Sequence, residues 1–127
     1  MKKDITSRKD IKHIICKFYE KLLNDEEMLP FFENFVQNKT LEKHIDIITD
    51  FWNDILFDTI TYSNNVLKKH LDINSFIAFR EKHFTIWMSY LFETIDTDFI
   101  GLNTSKMKER ATSISMVMKL KMNLYKN

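Results

Sequence analysis

The sequence predicts an all-α chain. Its 127 residues include one glycine and one proline, whereas tight β-turns draw on residues that tolerate φ > 0 or fix φ. Apolar side chains instead recur three and four positions apart through several segments, the spacing that lines one face of a helix. A hydrophobic fraction of 44%, with eleven Phe, four Tyr and two Trp, supplies bulky surface to fill a core between such helices. The length suits a single domain over 1–127, with 1–6 and 123–127 expected as loose tails.

The first helix is announced by Ser7 and Asp10. The Ser hydroxyl can accept from a free backbone N–H while Asp10 reaches back, as in a capping box. Ile11, Ile14, Ile15, Phe18 and Leu22 then form one buried stripe, and Asn24 to Glu27 end the helix. Leu29 to Phe35 reads as a short, aromatic-rich helical elbow. Pro30 is tolerated there because a first-turn proline gives up no intrahelical hydrogen bond.

A second long helix is expected from Thr40 to Asp58 or Thr59. Leu41, His44, Ile48, Phe51 or Trp52, and Ile55 line one face. Ile45, Ile47, Leu56 and Phe57 widen the apolar surface, so this helix should be sandwiched between partners. Thr61 to Asn65 is a loop, and Val66 to Ile73 fits only a short helix. Asn74 and Ser75 introduce a longer one through Phe76, Phe79, His83, Phe84, Trp87, Tyr90, Leu91 and Ile95. Gly101 suits a helix-ending left-handed position. A final helix carries Met107, Ala111, Ile114, and Val117 or Met118. Helices of such unequal length suit a globin-type arrangement better than a regular four-helix bundle.

Composition excludes several functions. Lys plus Arg number 19 against 18 Asp plus Glu, so no basic stripe dominates and a nucleic-acid partner held by phosphate neutralisation is not expected. The lone Cys16 rules out an intrachain disulfide framework, and with no secretory segment visible the cytoplasm is the expected compartment. Beside Ile15 and near Phe18, it reads as a buried structural thiol. No apolar run approaches the roughly eighteen residues that cross a bilayer, so no membrane partner is expected.

The chemistry narrows in the same way. There is no His-Glu-x-x-His pair, no glycine-rich phosphate loop and no cysteine set for zinc or iron–sulfur. A di-iron bundle would need Glu three residues before His. Glu42 and Glu81 each stand only two before His44 and His83. Of the four histidines, His44 and His70 each lie among large apolar side chains, on either side of the greasy run from Ile45 to Phe57. That pattern suits a flat ligand with one histidine above and one below. Haem asks for little more than this: one axial ligand, normally a neutral histidine, and an apolar slot that excludes water. Phe18, Phe31, Phe32, Phe51, Trp52 and Trp87 offer flat walls, and Tyr19 a polar tip. His83 is the rival axial candidate. His13, between Lys12 and Ile14, reads as solvent-facing.

Taken in order, Phe18-Tyr19-Glu20, Met28 to Phe32, Glu42-Lys43-His44, Phe51-Trp52, the Tyr62–His70 segment, His83 to Trp87 and Arg110-Ala111 resemble a group III truncated haemoglobin of the bacterial kind. The likeness spans almost the whole length. It implies a truncated globin-like helical sandwich with a haem pocket, holding one haem b (iron protoporphyrin IX). The scarcity of glycine agrees, since group III lacks the glycine pairs of the other truncated groups. Two departures stand out: a longer stretch between His70 and Trp87, and no glycine in the connection from Asp58 to Asn65.

Residue by residue, the resemblance puts His70 at the proximal iron ligand. It puts Tyr19 at the distal tyrosine, preceded by the wall residue Phe18, and His44 at the distal histidine, with Ile48 one turn beyond. Trp87 falls at the tryptophan bordering the pocket. Lys68 and Lys69 fall near a propionate. Phe31, Phe32, Phe51 and Trp52 join the cofactor wall from their own flat apolar character. The implied function is binding of O2, CO or NO at histidine-ligated iron, with Tyr19 and His44 stabilising the ligand. Nitric oxide dioxygenase-like or peroxidase-like turnover, fed by an unidentified reductase, is the further chemistry the family carries. The competing reading is a haem-free globin-like module that senses a small apolar ligand or binds another protein.

Overall fold

The computed structural model describes residues 2–59 and 80–121. Among these residues the regular structure is five α-helices: α1 Arg8–Leu23, α2 Leu29–Gln37, α3 Leu41–Phe57, α4 Glu81–Asp98 and α5 Leu102–Lys121. An isolated parallel bridge joins Lys3 to Phe99. The fold is all-α, as the sparse glycine and proline require. The expected short helix at Val66–Ile73 and the tail 123–127 lie outside the described residues.

α1 is the central element. Ser7 caps it in extended conformation (φ −153°, ψ 165°), its hydroxyl accepting from the Asp10 N–H at 3.3 Å. The Asp10 carboxylate does reach back, but to the Thr6 N–H (3.0 Å) and hydroxyl (3.1 Å) rather than to Ser7. Ile11, Ile14, Ile15 and Leu22 are wholly enclosed. Each such side chain removed from water contributes about 1.5–3 kcal/mol. The stripe packs mainly against α3 and α4. Arg8 to Asp50 (2.8 Å) and Lys12 to Asp46 (2.9 Å) fasten the rim of the α1–α3 contact. Being exposed, these pairs set register more than they add stability.

The elbow forms because Asp25 accepts from the N–H groups of Glu27 (2.8 Å) and Met28 (3.2 Å), ahead of Pro30 in the first turn of α2. α2 ends in a tight reversal. The Thr40 N–H reaches the Phe35 carbonyl (2.9 Å) and the Lys39 N–H that of Val36 (3.2 Å), with Lys39 at φ 57°. This is a Schellman-type cap with lysine where glycine is usual. α3 then buries His44, Ile45, Ile48, Thr49, Trp52 and Leu56 against α1, α2 and α5. Of the two residues left open for its inner face, Trp52 is buried and Phe51 half-buried.

Four expectations need correction. Residues 2–6 are not a loose tail: Ile5 is wholly enclosed and the Ile100 N–H donates to the Lys3 carbonyl at 2.9 Å. Asp4 accepts from the N–H groups of Asn103 (3.0 Å) and Thr104 (2.9 Å), capping α5 from 99 and 100 residues away. Gly101 consequently serves the start of α5 rather than a helix end. It holds φ 145°, and an added Cβ would lie 2.4 Å from the Asp4 carboxyl carbon. The helix expected from Asn74–Ser75 is not continuous through Arg80, whose backbone is extended (φ −105°, ψ 168°). There His83 Nδ1 accepts the Arg80 N–H at 2.8 Å and starts α4. Cys16 is half-buried rather than enclosed, because α1 is only partly covered on that side. On α5, Met118 rather than Val117 turns inward.

Candidate functional site

Phe18 and Tyr19 are consecutive on α1, so their side chains diverge by about a quarter turn. Both are nonetheless buried, since neighbours cover α1 on more than one side. Phe18 meets Trp87 of α4 edge to face, with centroids 5.8 Å apart. Tyr19 meets Phe32 of α2 at 5.4 Å and His44 of α3 at 5.4 Å, again at steep angles. Its hydroxyl lies 2.8 Å from His44 Nε2, inside the protein. Burial holds the Tyr19 phenol well above its ordinary pKa of 10.0, so it keeps its proton across the physiological range.

These rings border a narrow apolar cavity with about 20 Å³ of interior room. α1 contributes Ile15, Phe18 and Tyr19, and α3 contributes Ile48, Phe51 and Trp52. Trp87 and Leu91 of α4 and Ile114 and Met118 of α5 complete the wall. Six of the residues singled out from sequence thus meet at one cavity: Phe18, Tyr19, Ile48, Phe51, Trp52 and Trp87. Among the described residues the lining offers one hydroxyl, that of Tyr19, and two tryptophan side chains among otherwise apolar surface. Such a lining favours an apolar guest over a charged one.

The other candidates lie elsewhere. His44 and Phe32 stand behind Tyr19 rather than on the wall. Phe31 packs its ring on His83, with centroids 4.7 Å apart. Lys68, Lys69 and His70 lie outside the described residues. His83, the rival axial candidate, has Nδ1 occupied by the Arg80 N–H and Nε2 3.7 Å from Glu27. Burial, then the neighbouring Lys82 charge, pulls its pKa below the ordinary 6.5, while Glu27 opposes them. His13 is 46% exposed and lies 2.9 Å from Asp98.

Sequence reasoning assigned Ile15, Leu91, Ile114 and Met118 to core-facing stripes without separating a cavity wall from plain core. Periodicity reports which way a side chain points, not whether another side chain or a void faces it. Phe35 went unassigned too. It stacks flat on the His44 imidazole, with centroids 4.1 Å apart and planes 19° apart. The nine-residue spacing from Phe35 to His44 carries no helical signal, because the reversal at Lys39 lies between them.

Among the described residues, no helix is long and apolar enough to cross a membrane. No family model matches the chain. Over 117 residues it is 29% identical to the group 3 truncated hemoglobin ctb of Campylobacter jejuni subsp. jejuni serotype O:2, covering 91% of this chain and 90% of that protein. The crystal structure of the group III truncated hemoglobin from Campylobacter jejuni superposes on the fold with a TM-score of 0.87 at 25% identity. That match covers 100% of this chain and 99% of the other. Likeness in sequence and in fold, each over nearly the full length of both chains, leads to one family: the chain resembles the group III truncated haemoglobins throughout.

Proposed function

We propose that this chain binds one haem b in the cavity between α1, α3, α4 and α5, with His70 as the axial ligand, and that it reversibly holds O2 or a related diatomic ligand. The observation that carries this reading is the cavity itself. It is an aromatic slot where the Tyr19 hydroxyl is held at 2.8 Å by a buried histidine. The residues fit the group. A macrocycle needs apolar walls and a single protein ligand, so the site to seek is a slot with one histidine and not a cluster of ligating side chains. Bound there, haem supplies a ferrous iron that takes up a diatomic ligand reversibly.

The protein's contribution is water exclusion and a placed dipole. Phe18, Phe51, Trp52 and Trp87 would cover the macrocycle and keep bulk water out. The half-buried Phe51 and Trp87 would form the rim. Tyr19 and His44 would tune the ligand, and the direction of their hydrogen bond decides how. With the proton on His44 Nε2, the ring donates to the Tyr19 oxygen and the phenol hydrogen turns towards the cavity. With Nε2 unprotonated, the phenol donates to the ring and shows the cavity a lone pair. A ligand that gains partial negative charge, as O2 does, calls for the first arrangement. A donor in a dry site is worth about 1–3 kcal/mol to such a ligand. Lys69 would lie near a propionate. Phe31 and Phe32 would support the slot from behind, Phe32 through its contact with Tyr19.

The test is an absorption titration of the purified protein with haem, in ferric, ferrous and ferrous-plus-CO states, beside His70→Ala. A Soret band that saturates at one equivalent, shifts with CO, and loses its histidine-ligated signature in the variant is the expected result. A folded wild type with no stoichiometric band would replace this reading with a haem-free module.

A further inference from the structure

We propose that Phe35 is a positioning residue for the Tyr19–His44 pair, holding the imidazole in the plane from which Nε2 meets the tyrosine hydroxyl. The inference deepens the distal roles given above to Tyr19 and His44, and it rests on that reading for its functional consequence.

Among the described residues, stacking and a hydrogen bond restrain the His44 ring independently. Stacking on Phe35, at 4.1 Å and 19°, opposes any swing out of plane, because a tilted imidazole must leave the phenyl face or drive into it. Rotation within the stack remains open, since a half-turn about the Cβ–Cγ bond returns the ring to the same plane. The 2.8 Å contact with Tyr19 resists that half-turn, which would put a carbon where Nε2 now lies. Neither restraint alone fixes the ring.

The backbone makes the stack more than a chance contact. The Phe35 carbonyl accepts the Thr40 N–H at 2.9 Å, and the Thr40 carbonyl accepts the His44 N–H at 3.0 Å. Both Cα atoms are therefore tied through one residue across the α2–α3 reversal. Phe35 is itself half-buried, so the phenyl ring forms the outer layer of a sequence running inward from Phe35 to His44, Tyr19 and the cavity. A side chain kept only for apolar burial would need no planar face. Phe35→Leu and Phe35→Tyr separate those cases: the first keeps apolar bulk without the plane, the second keeps the plane.

The measurement is the imidazole nitrogen spectrum of His44 in 15N-labelled protein, recorded on the diamagnetic ferrous-CO form. His44→Gln assigns the signal. Wild type and Phe35→Tyr should show one tautomer in slow exchange. Phe35→Leu should show averaged nitrogen shifts and, measured separately, O2 escape faster by about threefold to tenfold. An unchanged His44 spectrum in folded Phe35→Leu overturns the proposal, as does averaging in Phe35→Tyr. Should Phe35→Leu fail to fold, Phe35→Met carries the same expectation. If the wild type takes up no haem, the haem reading fails separately, and the same spectra of the haem-free protein still decide the role of Phe35.

Discussion

Tyr19 shows how much one buried polar atom controls. Its hydroxyl lies on a wall made largely of hydrocarbon, 2.8 Å from His44 Nε2, and burial keeps it protonated. Tyr19→Phe removes that one oxygen and little volume. In the haem-loaded protein, O2 escape should accelerate about fivefold to a hundredfold, the equivalent of about 1–3 kcal/mol. CO, which gathers less charge, should respond far less. Flash photolysis of both ligands checks this, and equal acceleration of the two would mean that Tyr19 acts by shape alone. The residue types at this site were legible in the sequence, because Phe18-Tyr19, His44 and Trp87 are large side chains in apolar settings. Their contacts were not. Nothing in the spacing says that His44 stands behind Tyr19, or that Phe31 leaves the group to pack on His83.

At the scale of elements, the start of α5 depends on a residue almost the whole chain away. Asp4 accepts from the N–H groups of Asn103 and Thr104 and from the Thr104 hydroxyl at 2.8 Å. Burial pushes its pKa up, but those donors together outweigh it and hold the carboxyl below the ordinary 3.8. The contact requires Gly101, whose φ of 145° and 2.4 Å approach to Asp4 leave no room for a Cβ. Gly101→Ala should therefore cost about 2–4 kcal/mol in denaturant unfolding, from backbone strain and loss of the cap together. Asp4→Ala should cost about 0.5–2 kcal/mol, and the two should be less than additive, since both remove one contact. Full additivity would place the Gly101 effect elsewhere. Local signals served well for α1 to α3: Ser7, Pro30 and the apolar stripes mark them within the chain. They misread residues 2–6 and Gly101 because the partner of each lies at the other end of the sequence. Arg80 was misread for a different reason, since a histidine ring capping a backbone N–H has no counterpart in the usual Ser, Thr, Asp and Asn signals.

At the scale of the whole molecule, α4 is joined to the α1–α2 turn by a polar seam that responds to acid. Tyr90 donates to Asp25 at 2.5 Å, Lys82 lies 3.1 Å from Glu27, and His83 Nε2 stands 3.7 Å from the same carboxylate. His83 is buried, with its Nδ1 already accepting the Arg80 N–H. A proton taken up at Nδ1 would replace that acceptor with a second donor. Burial and the charges of Lys82 and Arg80 lower the His83 pKa, while Glu27 works in the opposite direction. The sign follows directly. The unfolded chain takes up a proton as pH falls through 6.5, whereas the folded chain refuses it until a lower pH. The His83 contribution is thus present in full above the unfolded value and is lost as pH falls through the folded one. Asp4, Asp10 and Asp25, all held below 3.8, add their own loss only in more acid solution. Between about pH 4 and 6.5, wild-type stability should therefore decline with acid more steeply than that of His83→Gln. Urea unfolding at half-unit steps of pH reads the difference directly. Parallel curves for the two proteins would mean that His83 accepts its proton in the folded state as readily as in the unfolded one, and that the seam owes its hold to Tyr90 and Lys82.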